Sequence, residues 1–331
     1  MPVEGHDGVV FPATFAAGDN FPGGYNIDGD KDGKNVCLID SVGSQANRIE
    51  PLFATEPYAG LVPQIVIKAG EKDVSLLEAG HRAGDAIVRC SSLQQELRDA
   101  FKELLKGNCE PLAKIAPTSL VFGVWDSRDT QAKRPRLVAS TIRAFQVRRL
   151  TRSAQYVPAV EYIDHKLLED TDDKKLRDAY AVRGFIHVPA SGSHGGVVAD
   201  GGIRRDATLS LSALRMLVAG AEAERTRKLQ RYILGLALVA FTAPQRGYLR
   251  QGCNLVADPD RPREFVVVHS DGKREPAILV HDDAVAFAKA AAQAFGVGES
   301  RTVEFDREKA LADVRGDSAS AESKPLKKVR K

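Results

Sequence analysis

The stretch KRPRLVASTIRAFQVRRLTRSAQY spans residues 133–156 and contains no carboxylate. No Asp or Glu occurs between Thr130 and Val160, although the whole chain carries a net charge of only +3. Within this acid-free stretch, RAFQVRRL (residues 143–150) alternates imperfectly between apolar and polar residues, which predicts a β-strand. The basic residues of the stretch are Lys133, Arg134, Arg136, Arg143, Arg148, Arg149 and Arg152.

The absence of acids has two explanations. A solvated basic face balanced by acids elsewhere is common and needs no ligand. A surface that faces phosphate, in contrast, excludes acids because phosphate repels them, whereas an acid on a solvated face is harmless. Six of the seven bases are Arg, whose planar fork suits phosphate and stacks on bases. We therefore favour polyanion binding, which is strongly salt-dependent.

Length and composition indicate a soluble globular protein of one large or two ordinary domains, with 331 residues, 43% hydrophobic and 27% charged. We expect no signal peptide, because no apolar segment follows Met1. The longest apolar run, residues 232–241, is too short to span a bilayer. The four cysteines form no C-x-x-C pair, so we expect neither a zinc site nor disulfides. We also expect a bacterial cytoplasmic location, where cysteines stay reduced.

Strand and helix signals alternate without the regular spacing of a doubly wound sheet. This order predicts an α+β fold with antiparallel strands, helices on one face and long insertions. One helical region is expected at about 74–106, with a weak point near Ser91–Ser92 and a stop at Gly107. The other predicted elements are strands at 35–42, 64–67, 119–125, 182–188 and 302–305, a hairpin formed by 265–269 and 277–280, and helices at 208–241 and at 282–296 with an Asp N-cap and a Gly296 C-cap.

Three motifs suggest chemistry but fit a plainer interpretation better. DGDKDG (residues 28–33) copies the opening of a calcium loop, but position 12 is Ile39 and no helix flanks it, so an acidic turn is expected. His81 and Asp85 are four apart on a predicted helix and can touch, but no nucleophile accompanies them. SGSHGGVVADGG (residues 191–202) lacks a phosphate-binding glycine pattern and suggests a mobile hairpin tip. No metal site is predicted.

Polar donors cluster directly after the first predicted strand, in DSVGSQANRIEPLF (residues 40–53). Ser and Asn commonly cap helices, so an ordinary helix N-terminus accounts for this composition. The functional alternative is a donor-rich helix start that faces phosphates.

Three segments together resemble the backbone subunit of the type I-G (formerly I-U) CRISPR Cascade complex, a protein of the RAMP superfamily. They are CLIDSVGSQANRIEP (37–51), LAKIAPTSLVFGVWDSRDTQAKRPRLVASTIRAFQVRRLTRSAQYVPAVEY (112–162) and GGVVADGGIRRDATLSLSALR (195–215). The similarity covers one domain at 35–305. Outside it, the composition predicts a loop-rich segment at 1–34, which is rich in Gly, Asp and Pro, and a charged, disordered tail at 306–331.

The resemblance implies a modified RRM-like, ferredoxin-like core, called the palm, with helical insertions and a thumb-like β-hairpin. It implies copies that stack head to tail along the crRNA spacer, as a helical homo-oligomer, and present the guide to a target DNA strand. The implied partners are crRNA, target DNA, further copies of the chain, other Cascade subunits and a recruited helicase-nuclease. No cofactor and no membrane are implied.

The resemblance also suggests which residues touch RNA. Residues after the first strand would grip the guide, the motif WDSRDTQAKRPR (125–136) would cover the RNA groove, and SGSHGGVVADGGIRR (191–205) would form the thumb-like element. With three further arginines of the acid-free stretch, the predicted RNA-binding residues are Ser44, Gln45, Asn47, Arg48, Arg128, Gln131, Lys133, Arg134, Arg136, Arg143, Arg148, Arg152, Arg204 and Arg205.

Three functional hypotheses follow from the sequence. The leading one is a non-catalytic guide-RNA-binding filament subunit. The second is a RAMP-type ribonuclease that processes guide or cuts target RNA, with Asp40 or Asp126 as the metal-supporting acid. The third is a protein–protein scaffold whose basic face is incidental, which predicts no salt-sensitive RNA binding.

Overall fold

The computed structural model describes residues 8–29, 34–244 and 247–315, with the backbone alone at 153–155 and 189–193. Over these residues the chain has an α+β fold with several small sheets. The chain divides into two compact units. Unit 1 comprises Met1–Asp40, Ile142–Arg204 and Arg246–Pro262, and unit 2 comprises Ser41–Thr141, Arg205–Gln245 and Arg263–Lys331.

The strands are β1 (Val9–Val10), β2 (Thr14–Phe15), β3 (Gly24–Tyr25), β4 (Ile27–Gly29), β5 (Asn35–Asp40), β6 (Ile65–Ala69), β7 (Lys72–Ser75), β8 (Val124–Trp125), β9 (Lys133–Arg134), β10 (Val138–Phe145), β11 (Val147–Tyr156), β12 (Val188–Ala199), β13 (Ile203–Leu209), β14 (Tyr248–Arg250), β15 (Cys253–Asn254), β16 (Phe265–Val268), β17 (Arg274–Ala277) and β18 (Arg301–Glu304).

The helices are α1 (Val42–Ile49), α2 (Ala86–Arg89), α3 (Gln94–Leu105), α4 (Glu110–Ile115), α5 (Pro117–Phe122), α6 (Lys174–Val182), α7 (Leu211–Arg215), α8 (Ala223–Thr242), α9 (His281–Phe295) and α10 (Arg307–Arg315). Short 3-10 helices lie at Glu50–Ala54, Ala59–Leu61, Leu76–Glu78 and Arg82–Gly84.

A long antiparallel ribbon characterises unit 1. Strand β11 pairs with β12 along its whole length, from Val147 opposite Ala199 to Tyr156 opposite Val188. Strand β1 pairs with the other edge of β12, which gives the sheet order β1-β12-β11. Residues 157–187, which include α6, connect the two ribbon strands.

A tight turn at Gln146 separates β10 from the ribbon. Gln146 has a positive φ of 50°, and its N–H donates to the carbonyl of Asn35 at 2.9 Å. The Asn35 side chain also accepts from the N–H of Val147 at 2.6 Å. The strand predicted at 143–150 is therefore two strands, because Asn35 of β5 holds the turn between them. Strands β5 and β10 are neighbours in the sheet β13-β10-β5-β4.

The core of unit 2 is the larger of the two. Strand β6 lies between β18, which is parallel to it, and β7, which is antiparallel. Helices α8 and α9 pack against each other, and the buried Tyr232 of α8 stacks on Phe295 of α9 with ring centroids 4.7 Å apart. The hydroxyl of Tyr232 donates to the carbonyl of Leu61 at 2.8 Å, which satisfies this buried polar group.

The segment 119–125 corrects the prediction of a buried strand. Residues 117–122 form α5, in which all six residues are buried, and only Val124–Trp125 form strand β8. A continuous apolar run fits a buried helical turn as well as a buried strand, and Pro117 at the first helical position favours the helix. Gly123, with a φ of 83°, then turns the chain into β8.

Several other boundaries also differ from the predictions. Helix α6 ends at Val182 and β12 begins at Val188, so 182–188 is not a strand. The region 74–106 starts with β7 and 3-10 turns, and the break at Ser91–Ser92 is confirmed as the gap between α2 and α3. Helix α9 is capped by Val280 rather than Asp, whereas Gly296 is confirmed as its C-cap.

Strands β5, β6, β18 and the hairpin β16–β17 are confirmed, with β17 a few residues earlier than predicted. The region 208–241 divides into α7 and α8. Of the predicted tail, Arg307–Arg315 form α10, and residues 316–331 lie outside the described part of the chain. Residues 30–33 of the acidic turn DGDKDG also lie outside it.

Candidate nucleic-acid interface

Helix α1 begins where the sequence predicts a donor-rich helix start. Ser41 is the N-cap, and its Oγ accepts from the backbone N–H of Ser44 at 3.2 Å. Gln45 is buried, whereas Asn47 and Arg48 are exposed. Of the four predicted contact residues on this helix, Asn47 and Arg48 are therefore the ones most accessible to a ligand.

Gln45 joins a buried chain of polar groups in unit 2. Its Oε1 accepts from the hydroxyl of Ser140 at 3.0 Å, and the Ser140 oxygen accepts from Nε of Arg205 at 2.8 Å. The structure thus brings together two predicted site residues through Ser140, which the sequence analysis did not single out. Burial, with Arg263 nearby, lowers the pKa of Arg205 to about 10, so this guanidinium stays charged at neutral pH.

A buried ion pair lies beneath the exposed end of α1. Nη2 of Arg82 donates to Oδ1 of Asn47 at 3.2 Å, and Nε of Arg82 lies 2.6 Å from Oε2 of Glu50. Burial raises the pKa of Glu50 to about 7, and the adjacent Arg82 opposes this rise. Arg82 therefore fixes the amide of Asn47 while neutralising a carboxylate that has little access to water.

The segment from Trp125 to Arg136 forms a compact hairpin, which we call the Trp125 loop. Strands β8 and β9 close its ends, with Trp125 opposite Lys133. At its base, Asp126 N–H donates to the carbonyl of Ala132 at 2.9 Å. One oxygen of the Asp126 carboxylate accepts from Thr130 N–H at 2.8 Å and from the Thr130 hydroxyl at 2.6 Å, so the loop is held from inside.

The two acids of the Trp125 loop are both engaged internally. Asp126 is buried and bonded to Thr130, and Asp129 lies 3.1 Å from Nε of Arg98 on α3. The exposed side chains of the loop are instead basic, amide or aromatic, with one proline: Trp125, Arg128, Gln131, Lys133, Pro135 and Arg136. Arg134 is half-buried beside Cys109. Four of the five residues predicted in this motif are therefore exposed.

The arginines of unit 1 have a different environment. Arg148 is exposed and makes two hydrogen bonds with Asp200, at 2.6 and 3.2 Å, which raise the pKa of Arg148 and lower that of Asp200. Arg152 lies over the ring of Phe11 at 5.7 Å. The acid-free stretch of the sequence therefore contacts an acid, Asp200, in the folded chain. This contact largely compensates the charge of Arg148.

Two further predicted residues of unit 1 lie on neighbouring strands. Arg143 is half-buried on β10. Arg204 is exposed and lies over Phe145, with its guanidinium carbon 4.8 Å from the ring centroid.

Residues 1–149 match the family model described as CRISPR-associated protein GSU0053. Over these residues, which are just under half of the chain, the sequence is similar to that family of CRISPR-associated proteins. The matched residues include α1 and the whole Trp125 loop. None of the curated proteins matches the chain. The similarity to this family supports a role in CRISPR defence.

The two acids considered for catalysis are both buried and hydrogen-bonded. Asp40 accepts from Nη2 of Arg250 at 3.1 Å, and Asp126 holds Thr130 as described. His81 and Asp85 do touch, at 3.6 Å, with the histidine largely exposed. Within the described ranges, no three His, Cys, Asp or Glu side chains are grouped so as to hold a metal ion.

Trp125 opens the motif predicted to cover the RNA groove, but it was not among the predicted contact residues. It was placed inside a buried strand, yet it is 55% exposed at the edge of a basic loop. The available signal was its position, since the polar run DSRDTQ follows it directly.

Among the helices that the structure describes, none combines the length and apolarity needed to cross a membrane.

Proposed function

We propose that this protein is a guide-RNA-binding backbone subunit of a type I-G Cascade complex. The observation that carries the proposal is the outer face of the Trp125 loop, where Arg128, Lys133 and Arg136 are exposed while both loop acids are engaged internally. Such segregation suits a phosphate backbone, which attracts cations and repels carboxylates. The CRISPR-associated family supplies the context in which that polyanion is crRNA.

The remaining parts of the proposal follow the family resemblance. Copies of the chain stack head to tail along the crRNA spacer in the cytoplasm and present it to the target DNA strand. Other Cascade subunits complete the complex, and a recruited helicase-nuclease cuts DNA. Residues 191–205, the predicted thumb-like element, do not form a hairpin of their own, because 191–199 belong to β12, which pairs with β11, and 203–205 begin β13, which neighbours β10 in another sheet. In this proposal the ribbon β11–β12 takes the place of the thumb-like hairpin, since it is the longest paired element of unit 1.

A salt titration of RNA binding tests the proposal on the purified full chain. The probe is a labelled single-stranded RNA of mixed sequence, followed by fluorescence polarisation. We expect the variant R128A/K133A/R136A to bind more weakly and to reduce the steepness of log K against log salt by about 2, because each lost phosphate contact removes about 0.7. The matched control is K72A/R227A/K228A, which removes three exposed cations elsewhere in unit 2.

Two outcomes contradict the proposal. If the wild-type chain binds no RNA even at low salt, the basic face of the loop is only solvated. If the control variant weakens binding as much as the loop variant, binding reflects overall charge rather than this site.

We also propose that the chain does not cleave RNA. The internal hydrogen bonds of Asp40 and Asp126 support structural roles for both carboxylates. The test is prolonged incubation of labelled RNA with the protein and Mg²⁺. Cleavage that disappears in Asp40→Asn, with RNA binding retained, would support a ribonuclease instead.

A further inference from the structure

Trp125 is the only tryptophan of the chain, and more than half of its side chain is exposed. Its strand neighbour Val124 is buried, so the chain here alternates between the core and solvent. An indole is among the most favourable groups to bury. Leaving it in water forgoes that stabilisation, and large exposed aromatic groups are typical of binding surfaces.

The backbone of Trp125 is fixed from both sides. It pairs with Lys133 across the β8–β9 hairpin. On its other side, Gly84 packs so closely that an added Cβ would lie 2.8 Å from the Trp125 carbonyl oxygen. The hydrogen bond from Asp126 N–H to Ala132 anchors the next residue. The indole is therefore presented on a prearranged backbone, which lowers the entropic cost of binding.

The surroundings of the indole indicate what kind of ligand it contacts. The ammonium of Lys133 lies 5.2 Å from the ring centroid, and the other exposed residues of the loop include Arg128, Gln131 and Arg136. The surroundings of the indole are cationic and rich in donors, and such a concentration of positive charge favours a polyanion as the ligand. An unpaired nucleotide has both a π-face for the indole and a phosphate for the cations.

We propose that Trp125 is a base-stacking residue, on which one unpaired base of the bound single-stranded RNA lies, while Lys133 and its neighbours contact the adjacent phosphate. This inference rests on the proposed RNA-binding function and assigns a binding role to a residue that the sequence had placed in a strand. Stacking tolerates any base, because every base has a π-face. It therefore suits a protein that must hold guides of different sequence.

Intrinsic fluorescence tests the inference directly, because every tryptophan signal comes from Trp125. Single-stranded RNA is added to the full chain and compared with an RNA of equal length and charge that contains abasic residues. We expect quenching by intact RNA that saturates at the concentration where polarisation of labelled RNA saturates, and much less quenching by abasic RNA. This measurement needs only the wild-type chain.

Substitution provides the second arm. We expect W125A to weaken RNA binding about 5- to 150-fold, since stacking on one aromatic side chain contributes that range, and W125F to weaken it less. The matched control is Y248A, which removes an aromatic side chain of similar exposure in unit 1. Circular dichroism spectra identical to wild type identify variants that fold.

The outcomes separate this inference from the proposed function. RNA binding with unchanged fluorescence, and with W125A equal to wild type, would overturn the stacking role and leave the RNA-binding proposal intact. Absence of any RNA binding would remove both. A fluorescence change that follows protein concentration without RNA would assign Trp125 to an interface between copies and would also overturn the inference.

Discussion

Arg82 connects the stability of unit 2 to a residue expected to touch RNA. Its guanidinium is buried, contacts Glu50 and Asn47, and lies 5.4 Å from the centre of the Phe122 ring. Its backbone has a φ of 54°, which a non-glycine residue adopts only when the surrounding contacts compensate the strain. The contacts of one buried side chain thus determine how the end of α1 is presented.

Replacing Arg82 tests this view of the ion pair. We expect R82M to lower the free energy of unfolding by about 3–5 kcal/mol, because Glu50 is left buried without its partner. The double variant E50M/R82M should lower the free energy of unfolding clearly less than R82M does, because it removes both charges. Urea unfolding of the three proteins measures the difference. Equal losses in the single and double variants would show that the pair carries no electrostatic role.

The loss in R82M should also depend on pH. The pKa of Glu50 is raised from its ordinary 4.5 to about 7, so this carboxyl takes up a proton on folding, and its contribution to stability falls as pH rises through that window. Without Arg82 the pKa of Glu50 rises further. The deficit of R82M relative to wild type should therefore be small near pH 5 and grow above pH 7. A deficit that is constant with pH would contradict this assignment.

Gly123 is the second residue on which the site depends. Its φ of 83° and ψ of 152° belong to a region that essentially only glycine adopts. An added Cβ would lie 3.1 Å from both the Arg134 carbonyl oxygen and the Arg136 nitrogen. The close approach of Gly123 therefore sets where β9 and its cations lie.

We expect G123A to destabilise the chain by roughly 1–3 kcal/mol and to weaken RNA binding. The matched control is G107A, because Gly107 also has a positive φ, of 91°, but open space around an added Cβ. We would measure the free energy of unfolding and the fluorescence polarisation of labelled RNA for both variants. The comparison separates the effect of backbone strain from that of the steric conflict. If the two variants lose the same stability and bind RNA equally well, Gly123 has no special role in the loop.

At the scale of elements, the pairing of α8 with α9 organises the core of unit 2. Gly235 of α8 approaches α9 so closely that an added Cβ would lie 2.8 Å from the Cα of Ala288. Ala288 is itself buried, so small residues on both helices permit the contact. The contacted atom belongs to the backbone of α9, so it cannot move aside as the end of a flexible side chain could.

Two opposing effects decide the outcome of Gly235→Ala. Alanine favours a helix by about 1 kcal/mol over glycine, whereas overpacking a core typically costs about 1–3 kcal/mol. We expect the steric effect to dominate and the free energy of unfolding to fall by about 1 kcal/mol or more. The control K228A, at an exposed position of α8, should change stability little. A stabilised G235A protein would mean that α8 and α9 separate easily.

Elements with a strong local signal were predictable from the sequence. Strand β16 contains a run of three valines and β5 is largely apolar, and Gly107 and Gly296 end helices with positive φ. Helix α5 was mistaken for a strand, because its short apolar run contains no periodicity that separates strand from helix, although Pro117 favours a helix start. The segment 182–188 was mistaken for a strand, whereas it connects α6 to β12 and its Phe185 packs against Tyr162 and Tyr180, a tertiary contact that the local sequence does not show.

At the scale of the whole molecule, the cations of the acid-free stretch belong to two compact units. Lys133, Arg134 and Arg136 lie in unit 2, whereas Arg143, Arg148 and Arg152 lie in unit 1. The sequence correctly indicated a local excess of cations but not their pairing, since Asp200 is 52 residues from Arg148. It also gave no sign that Ser140 links Gln45 to Arg205, because that link depends on tertiary packing.

The two units have separate hydrophobic cores. The core of unit 1 includes Val10, Cys37, Ile39 and Val197, and that of unit 2 includes Phe53, Leu112 and Leu236. With a net charge near zero, the chain has no general attraction for polyanions, so any RNA binding has to come from local surfaces such as the Trp125 loop.

The central claim is that the outer face of the Trp125 loop holds crRNA. The most direct measurement is the nucleic acid that co-purifies with the full chain when it is expressed with a CRISPR array, digested separately with RNase and DNase and sized on a gel. We expect RNA of discrete length to co-purify with the wild-type protein and with K72A/R227A/K228A. We expect this RNA to be absent from R128A/K133A/R136A. Absence of bound RNA from the wild-type protein, or its full retention by the loop variant, would contradict the account.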